Sequence, residues 1–471
     1  MRYQQELRDW LHAHRDEMVQ DLADLVAIRS VQGEARPGMP FGEGPAKALT
    51  LMLEKCRSYG FSVEDVDHYA GSADLGDDPK LGILAHLDVV PEGEGWLHDP
   101  YQMTYDPETD KLIGRGTSDD KGPAVAALYA MRAVKELGIA LPSGVRLILG
   151  TNEENGSEDL AYYTAHRTLP PMVFTPDGDY PVITLEKGMA RLRLTASFTD
   201  GESAVVSLKA GDVINAVPAL AEAELRGISL DAFLESRKKD YPGIAIWSRT
   251  EERDGEERLI IGVSGTNAHA STPETGRNAL TCLLELLAAL DLPGQQGETI
   301  RQMAARYPFG ETDGTSCGIA AADEISGGLT LVCSVMEMDA AQMTAYNDIR
   351  FPVCCKGEAV VAAMQTTLAP IGCEAIMCDE PHHTDEQSPF VQTLLRVYEG
   401  VTGNKGECLA IGGGTYVHHI EGGVAFGATF PGTDVHMHGA EEFILTEHLL
   451  LDAEMMALAI TELCGAEDTA S

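Results

Sequence analysis

The chain has 471 residues, 34 Lys and Arg against 74 Asp and Glu, a formal net charge of −40 at neutral pH and 44% apolar residues. So acidic a chain argues against a nucleic-acid binder, which needs a basic face to displace counterions, and against docking on an anionic membrane. The apolar content is enough for more than one core, and no apolar run approaches the ~20 residues that span a bilayer.

The N-terminus, MRYQQELRDWLHAHRDEMVQDLADLVAI, is charged throughout, without the apolar stretch or small-residue cleavage site of a secretion signal. None of the ten cysteines forms a Cys-x-x-Cys pair. A cytoplasmic protein with reduced thiols is expected.

In chain order, residues 3–28 carry Leu7, Trp10, Leu11, Met18, Leu22 and Leu25 at helical spacing and read as one amphipathic helix. Helix 46–59 and strand 62–66 follow. Residues 81–86 form an apolar run with a polar tip, hence a buried strand. Helix 121–137 is Ala-rich, strand 145–150 runs into TNEENGSEDL, and helix 157–166 precedes strand 172–175, which ends in PDGD. Alternating strands and helices predict an α/β domain around a mixed, mostly parallel sheet. The chemistry of such sheets gathers at the strands' carboxyl ends, and His86, Asp119, Glu153, Glu154 and Asp177 each follow a predicted strand or precede a helix.

From about residue 190 the pattern changes. Segments 190–199 and 203–209 alternate apolar and polar residues, as half-exposed antiparallel strands do. Helix 218–225, strand 258–264, helix 278–290, strands 328–338 and 344–351 and helix 357–368 complete an α+β region. The α/β pattern returns near residue 384 with helix 390–402, GGGTYV, strand 424–426 and helix 446–463. The expected organisation is a catalytic domain in two segments, 1–189 and 384–471, interrupted by an inserted lid, 190–383. His382–His383 belongs to the hinge between them.

Five motifs carry chemistry. In HLDVVP, His86 and Asp88 are two apart and share a strand face, as a ligand and its orienting carboxylate would. In GRGTSDDKGP, Asp119 and Asp120 precede a helix, and the bland reading of that pair is helix capping. In TNEENGSED, one of the adjacent Glu153 and Glu154 can bind metal while the other handles a proton. Asp177 ends a strand in FTPDGDYP. In PGTDVHMHGAEEFI, either His436 or His438 can be a ligand. Nitrogen and carboxylate ligands without thiolate suit zinc, manganese or cobalt. Taken one from each motif, the ligands are a His, an Asp, a Glu, an Asp and a His, and these five are too many for one catalytic zinc, but with a shared carboxylate they suit two metals.

HLDVVP, GRGTSDDKGP, TNEENGSED, FTPDGDYP and the spacing His438-x-x-x-Glu442 resemble the metallopeptidase family of aminoacylases, carnosinases and glutamate carboxypeptidases (family M-twenty, clan MH). The inserted segments INAVP (214–218), GTNAHASTPETGRNA (265–279) and NDIRFP (347–352) are most similar to its dipeptidase V-type, Xaa-His dipeptidase-like branch.

The resemblance implies two divalent ions, zinc by preference. His86 and Asp177 would hold one, Glu154 and His438 the other, and Asp119 would bridge them. Asp88 would orient His86, and Glu153 would take a proton from the bridging water. His269 would stabilise the oxyanion. Arg350 would clamp the substrate's carboxylate, with Asn215, Gly413, Gly414 and Thr415 completing the pocket. In this family the Asp119–Asp120 peptide is often cis. The long insert implies a monomer with its oxyanion histidine supplied in cis, acting on small dipeptides with a free amino terminus. An N-acyl-amino-acid amidohydrolase would share this metal chemistry. A binding protein that had lost catalysis should lack a ligand or the base, and none is missing here.

Overall fold

The computed structural model describes residues 1–253 and 255–465. The chain divides into two compact units. The first comprises Met1–Leu185, His383–Leu409 and Gly414 onward, and the second Glu186–His382 with Ala410–Gly413. Residues 410–413, expected in the last catalytic segment, group with the second unit. There Lys187 N–H donates to Ile411 O at 2.9 Å and Arg350 Nη1 to Gly412 O at 2.7 Å.

The first unit is built on a mixed sheet in the order Ser62–Val66, Ala70–Leu75, Gly144–Gly150, Pro79–His86, Met172–Thr175, Val424–Ala425, Val182–Glu186. Gly144–Gly150, Pro79–His86, Met172–Thr175 and Val424–Ala425 pair in parallel, and the flanking strands are antiparallel. His86 lies opposite Gly150 in register. The strand leading to Glu153 therefore ends level with His86. The helix Lys121–Glu136 is buried from Lys121 to Val134, and its alanines let it pack closely on the helix Thr446–Cys464, itself largely buried.

The single N-terminal helix expected over 3–28 is two helices, Gln4–Ala13 and Arg15–Val26. His14 breaks it, with φ −104° and ψ 11°, its ring stacked 3.8 Å from Trp10 and its Nδ1 bonded to Trp10 O.

The second unit holds an antiparallel sheet in the order Ala245–Arg253, Glu256–Ser264, Leu220–Arg226, Val205–Ala210, Thr330–Asp339, Gln342–Phe351, Gly188–Ser197, Gly372–Asp379. The helices Ala279–Ala288, Gly294–Arg306 and Gly357–Leu368 share its core. The expected helix 218–225 is instead the strand Leu220–Arg226. Its Ala and Glu residues favour helix locally. Yet Ala221, Ala223 and Leu225 are buried while Glu222 faces out, a period of two that partners on both sides enforce. All ten cysteines are free, and no helix among the described residues is long and apolar enough to cross a membrane.

Candidate metal centre

His86 closes its strand with no exposed surface. Its backbone N–H donates to Asp120 Oδ2 at 3.0 Å, and its Nδ1 lies 3.0 Å from the carbonyl oxygen of Asp88. A carbonyl only accepts, so Nδ1 carries the proton and the Nε2 lone pair is left to face outward. Nε2 stands 2.9 Å from Asp119 Oδ1 and 3.7 Å from Asp177 Oδ2, and makes no hydrogen bond. Lone pairs this close repel unless a proton or a metal cation lies between them.

On the other side of Asp119, Oδ2 is 2.9 Å from His438 Nε2, which is also 3.3 Å from Glu154 Oε2. Glu154 Oε1 is buried without a partner. Asp119 thus presents one oxygen to each histidine. The sets His86–Glu153–Asp177 and His86–Asp119–Glu154 each bring their donor atoms within 4.8 Å of one another, and these residues fit a metal cation. His436 goes elsewhere, its ring packed against Phe443 at 5.6 Å.

Asp88 differs from expectation. Its carbonyl, not its carboxylate, engages His86, and Oδ1 is 3.6 Å from the ring nitrogen. The carboxylate accepts the backbone N–H of Glu153 at 3.1 Å and of Glu154 at 3.2 Å. One residue therefore orients the ring and pins the acidic turn Glu153–Asn155. Asp120 occupies the N-cap position of the helix Lys121–Glu136 without a side-chain capping bond, so helix capping does not account for the acidic pair. The Asp119–Asp120 peptide is cis.

The electrostatics describe carboxylates crowded out of water. Burial, then repulsion from Asp177, raises Glu153 well above the usual carboxylate range. Burial and Asp119 raise Glu154, and the same pair of causes lifts Asp177 to about 7. Burial opposes a charged His438, yet its contacts with Asp119 and Glu154 outweigh this and hold it up at about 11. Burial also opposes charge on His86, and Asp119 and Asp88 again prevail, holding it well above its ordinary value. Asp119, against its own burial, is held low by His438 and His86. Such a cluster takes up positive charge.

Two supports were not visible as such in the sequence. Glu442, fully buried, accepts on Oε1 from the backbone N–H groups of Gly116 (3.0 Å), Ser118 (3.0 Å) and Asp119 (3.2 Å) and from Ser118 Oγ (3.1 Å). Its Oε2 pairs with buried Arg115 at 2.6 Å. The His-x-x-x-Glu spacing marked Glu442 and the Gly-Arg-Gly turn marked Arg115, but not their partnership. Asp159 accepts from Thr151 N at 2.5 Å, Asn152 N at 2.8 Å and the Tyr416 hydroxyl. It thereby braces the segment leading to Glu153. Tyr416 also meets the His86 ring edge-on, 6.1 Å between centroids.

Residues 82–462 match the profile of Peptidase family M20/M25/M40. The chain belongs to peptidase family M20/M25/M40. Across 98% of its length this member is 34% identical to the Beta-Ala-Xaa dipeptidase of Lactobacillus delbrueckii subsp. lactis, covering 99% of that protein. Among solved structures it is similar to human carnosine dipeptidase 1, at TM-score 0.61 and 17% identity over 99% of this chain and 100% of that one. It is also similar to aminoacylhistidine dipeptidase from Vibrio alginolyticus, at TM-score 0.55 and 15% identity over 94% and 96%. The two structural likenesses show the M20/M25/M40 fold.

The remaining expected site residues of this M20/M25/M40 member divide between the units, with Gly414 and Thr415 in the first and His269, Asn215, Arg350 and Gly413 in the second. The strand Ala268–His269 pairs with Ala216–Val217, His269 opposite Ala216, and Asn215 O accepts Ala270 N–H at 2.9 Å. His269 is exposed, and its Nδ1 accepts from Ser271 N–H at 3.2 Å and contacts Ser271 Oγ at 2.6 Å. With Nδ1 an acceptor, the neutral ring carries its proton on Nε2, which can then donate. Arg350 is buried. It forms a forked pair with Asp348 (2.5 and 3.0 Å) and reaches Gly412 O, so three of its N–H groups are spent within the second unit.

Proposed function

We propose that this chain is a metal-dependent dipeptidase that hydrolyses dipeptides with a free amino terminus. The observation that carries it is the Asp119 carboxylate, which has Oδ1 at 2.9 Å from His86 and Oδ2 at 2.9 Å from His438. A carboxylate shared in this way suits two cation positions. His86 and Asp177 would hold one divalent ion, Glu154 and His438 the other, with Asp119 common to both. Zinc fits this nitrogen and carboxylate set, and manganese and cobalt are the alternatives. When bound, such ions lower the pKa of a water and polarise a carbonyl.

The chain's residues do the rest. Glu153, raised by burial and by Asp177, is the base that accepts a proton and returns it to the leaving amine. Asp88 fixes the His86 tautomer through its carbonyl and the Glu153 backbone through its side chain. His269 donates from Nε2 to the oxyanion. Arg350 offers its remaining N–H groups to the substrate carboxylate, and Asn215, Gly413, Gly414 and Thr415 are the further substrate-binding residues of this reading. The substrate class follows the dipeptidase named among the relatives. The long insert, 190–383, is the reason to expect a monomer. The free cysteines are consistent with a reducing cytoplasm.

The test is hydrolysis by metal-stripped protein with zinc, manganese or cobalt restored, using free dipeptides beside N-acetyl amino acids and Glu153→Ala as control. Metal-dependent cleavage of free dipeptides alone, lost in the control, is the expected result. Cleavage of the acetylated substrates instead would move the assignment to an amidohydrolase, and hydrolysis of neither would overturn the proposal.

A further inference from the structure

His438 is the one proposed ligand that is largely exposed, its side chain 53% accessible against 13% or less for His86, Asp119, Glu154 and Asp177. It also sits on an unusual loop. His436, His438 and Glu441 all have left-handed backbones, with φ of 57°, 60° and 59°, a conformation that non-glycine residues rarely adopt. A ligand on such a loop needs an external brace.

The structure supplies one. Glu441 Oε1 accepts the backbone N–H groups of Leu97 (2.8 Å) and His98 (3.0 Å), and Oε2 takes the His98 Nδ1–H at 2.7 Å. Three bonds to adjacent groups of one segment form a clasp. A Cβ built on Gly95 would stand 3.5 Å from Ala440 Cβ, so the two segments also pack closely beside it. At the other end, Arg115 Nη2 donates to His438 O at 3.3 Å, but that guanidinium is shared with Pro91 O, Glu92 O and Glu442. The Glu441 carboxylate, by contrast, directs all three of these bonds to the Leu97–His98 segment. His98 is not among the proposed metal ligands, and Glu441 stands just before the structural Glu442.

We propose that the Glu441–His98 clasp is a positioning device for His438, setting the affinity of the cation position formed by Asp119, Glu154 and His438 while leaving that formed by His86 and Asp177 unchanged. The inference rests on the two-metal reading above. Glu441 and His98 are positioning residues that act through the loop, and outer partners of this kind typically govern metal affinity by 10–100-fold.

The experiment is titration of the metal-stripped full chain with Co²⁺, followed by its visible absorption, together with thermal unfolding of each apoprotein. Glu441→Ala should weaken one of two binding steps about tenfold or more and leave the other within about twofold. Glu441→Gln keeps an oxygen for the two backbone N–H groups and should recover most of that affinity. In a His438→Ala background, Glu441→Ala should have no further effect on binding. Equal weakening of both steps, a full effect persisting without His438, or no effect of Glu441→Ala would overturn the clasp while leaving the metal centre intact. A wild-type chain that binds no Co²⁺ would overturn the metal reading itself, and the clasp with it.

Discussion

Replacing Asp159 with Asn probes the electrostatics beneath the acidic turn. Asp159 is fully buried, and burial, then repulsion from Asp88, overrides its bonds from Tyr416, Thr151 and Asn152 to raise its carboxyl from 3.8 to about 6. A carboxyl with a higher pKa folded than unfolded holds its proton more tightly in the native state. Its contribution to stability is fully present below pH 3.8 and is lost as pH rises through about 6, some 3 kcal/mol in all at 1.36 kcal/mol per pH unit. The acid half of that window lies near the chain's isoelectric point of about 4.5, where proteins associate. Measurements should therefore run from pH 5 to 7.5, where about 1.4 kcal/mol of the change remains. Asn cannot titrate. In urea unfolding of the metal-stripped protein, the stability of Asp159→Asn relative to wild type should improve by about 1.4 kcal/mol from pH 5 to 7.5. The lost charge-assisted hydrogen bonds, worth about 1.5–3 kcal/mol each, set the offset between the two proteins but not this slope. A flat difference, or one that moves against the variant, would refute the assignment.

Further outcomes concern the site and its supports. Glu153→Gln should lower turnover by about 10²–10⁴ while Co²⁺ affinity stays within a few-fold, and a parallel loss of affinity would make Glu153 a ligand instead of a base. Arg115→Met leaves the Glu442 carboxylate buried without its cation and should cost about 3–5 kcal/mol in urea unfolding at pH 7, with part recovered by adding Glu442→Gln. A cost below about 1 kcal/mol would show that the backbone donors alone suffice for Glu442. His269→Ala should reduce kcat by about 10²–10³ with a smaller change in KM, as expected of an oxyanion donor. An effect confined to KM would reassign it to substrate binding.

Much of the first unit is legible in the sequence because its signals are local. A buried strand ending in His86, an Ala-rich helix after Asp119 and an apolar strand before Glu153 declare themselves within a few residues, and parallel pairing then aligns their ends. The failures have physical causes. Residues 220–226 carry helix-favouring Ala and Glu, and only neighbouring strands reveal the period of two. The break at His14 depends on its stack with Trp10 and its bond to that residue's carbonyl. At Asp88 the sequence points to the residue but not to the atom, since a two-residue spacing cannot say whether carbonyl or carboxylate meets the ring. Glu442 and Arg115 are partners 327 positions apart, beyond the reach of any local pattern.

The first unit is assembled from three separate stretches of chain, and this bears on how the protein is made. The helix Lys121–Glu136 is buried against the helix Thr446–Cys464, so its apolar surface waits for a partner about 310 residues downstream. At synthesis rates of 5–20 residues per second, roughly 15–60 s pass before the partner emerges, and His438 and Glu442 arrive in the same late stretch. The second unit, by contrast, is continuous apart from Ala410–Gly413 and has nearly all of its strands in hand long before then. During synthesis the inserted unit can therefore fold while its host is still open. The candidate metal cluster becomes complete only once residue 438 has emerged, so a chain interrupted before it would carry His86, Asp119, Glu154 and Asp177 without the histidine that faces Asp119 from the other side.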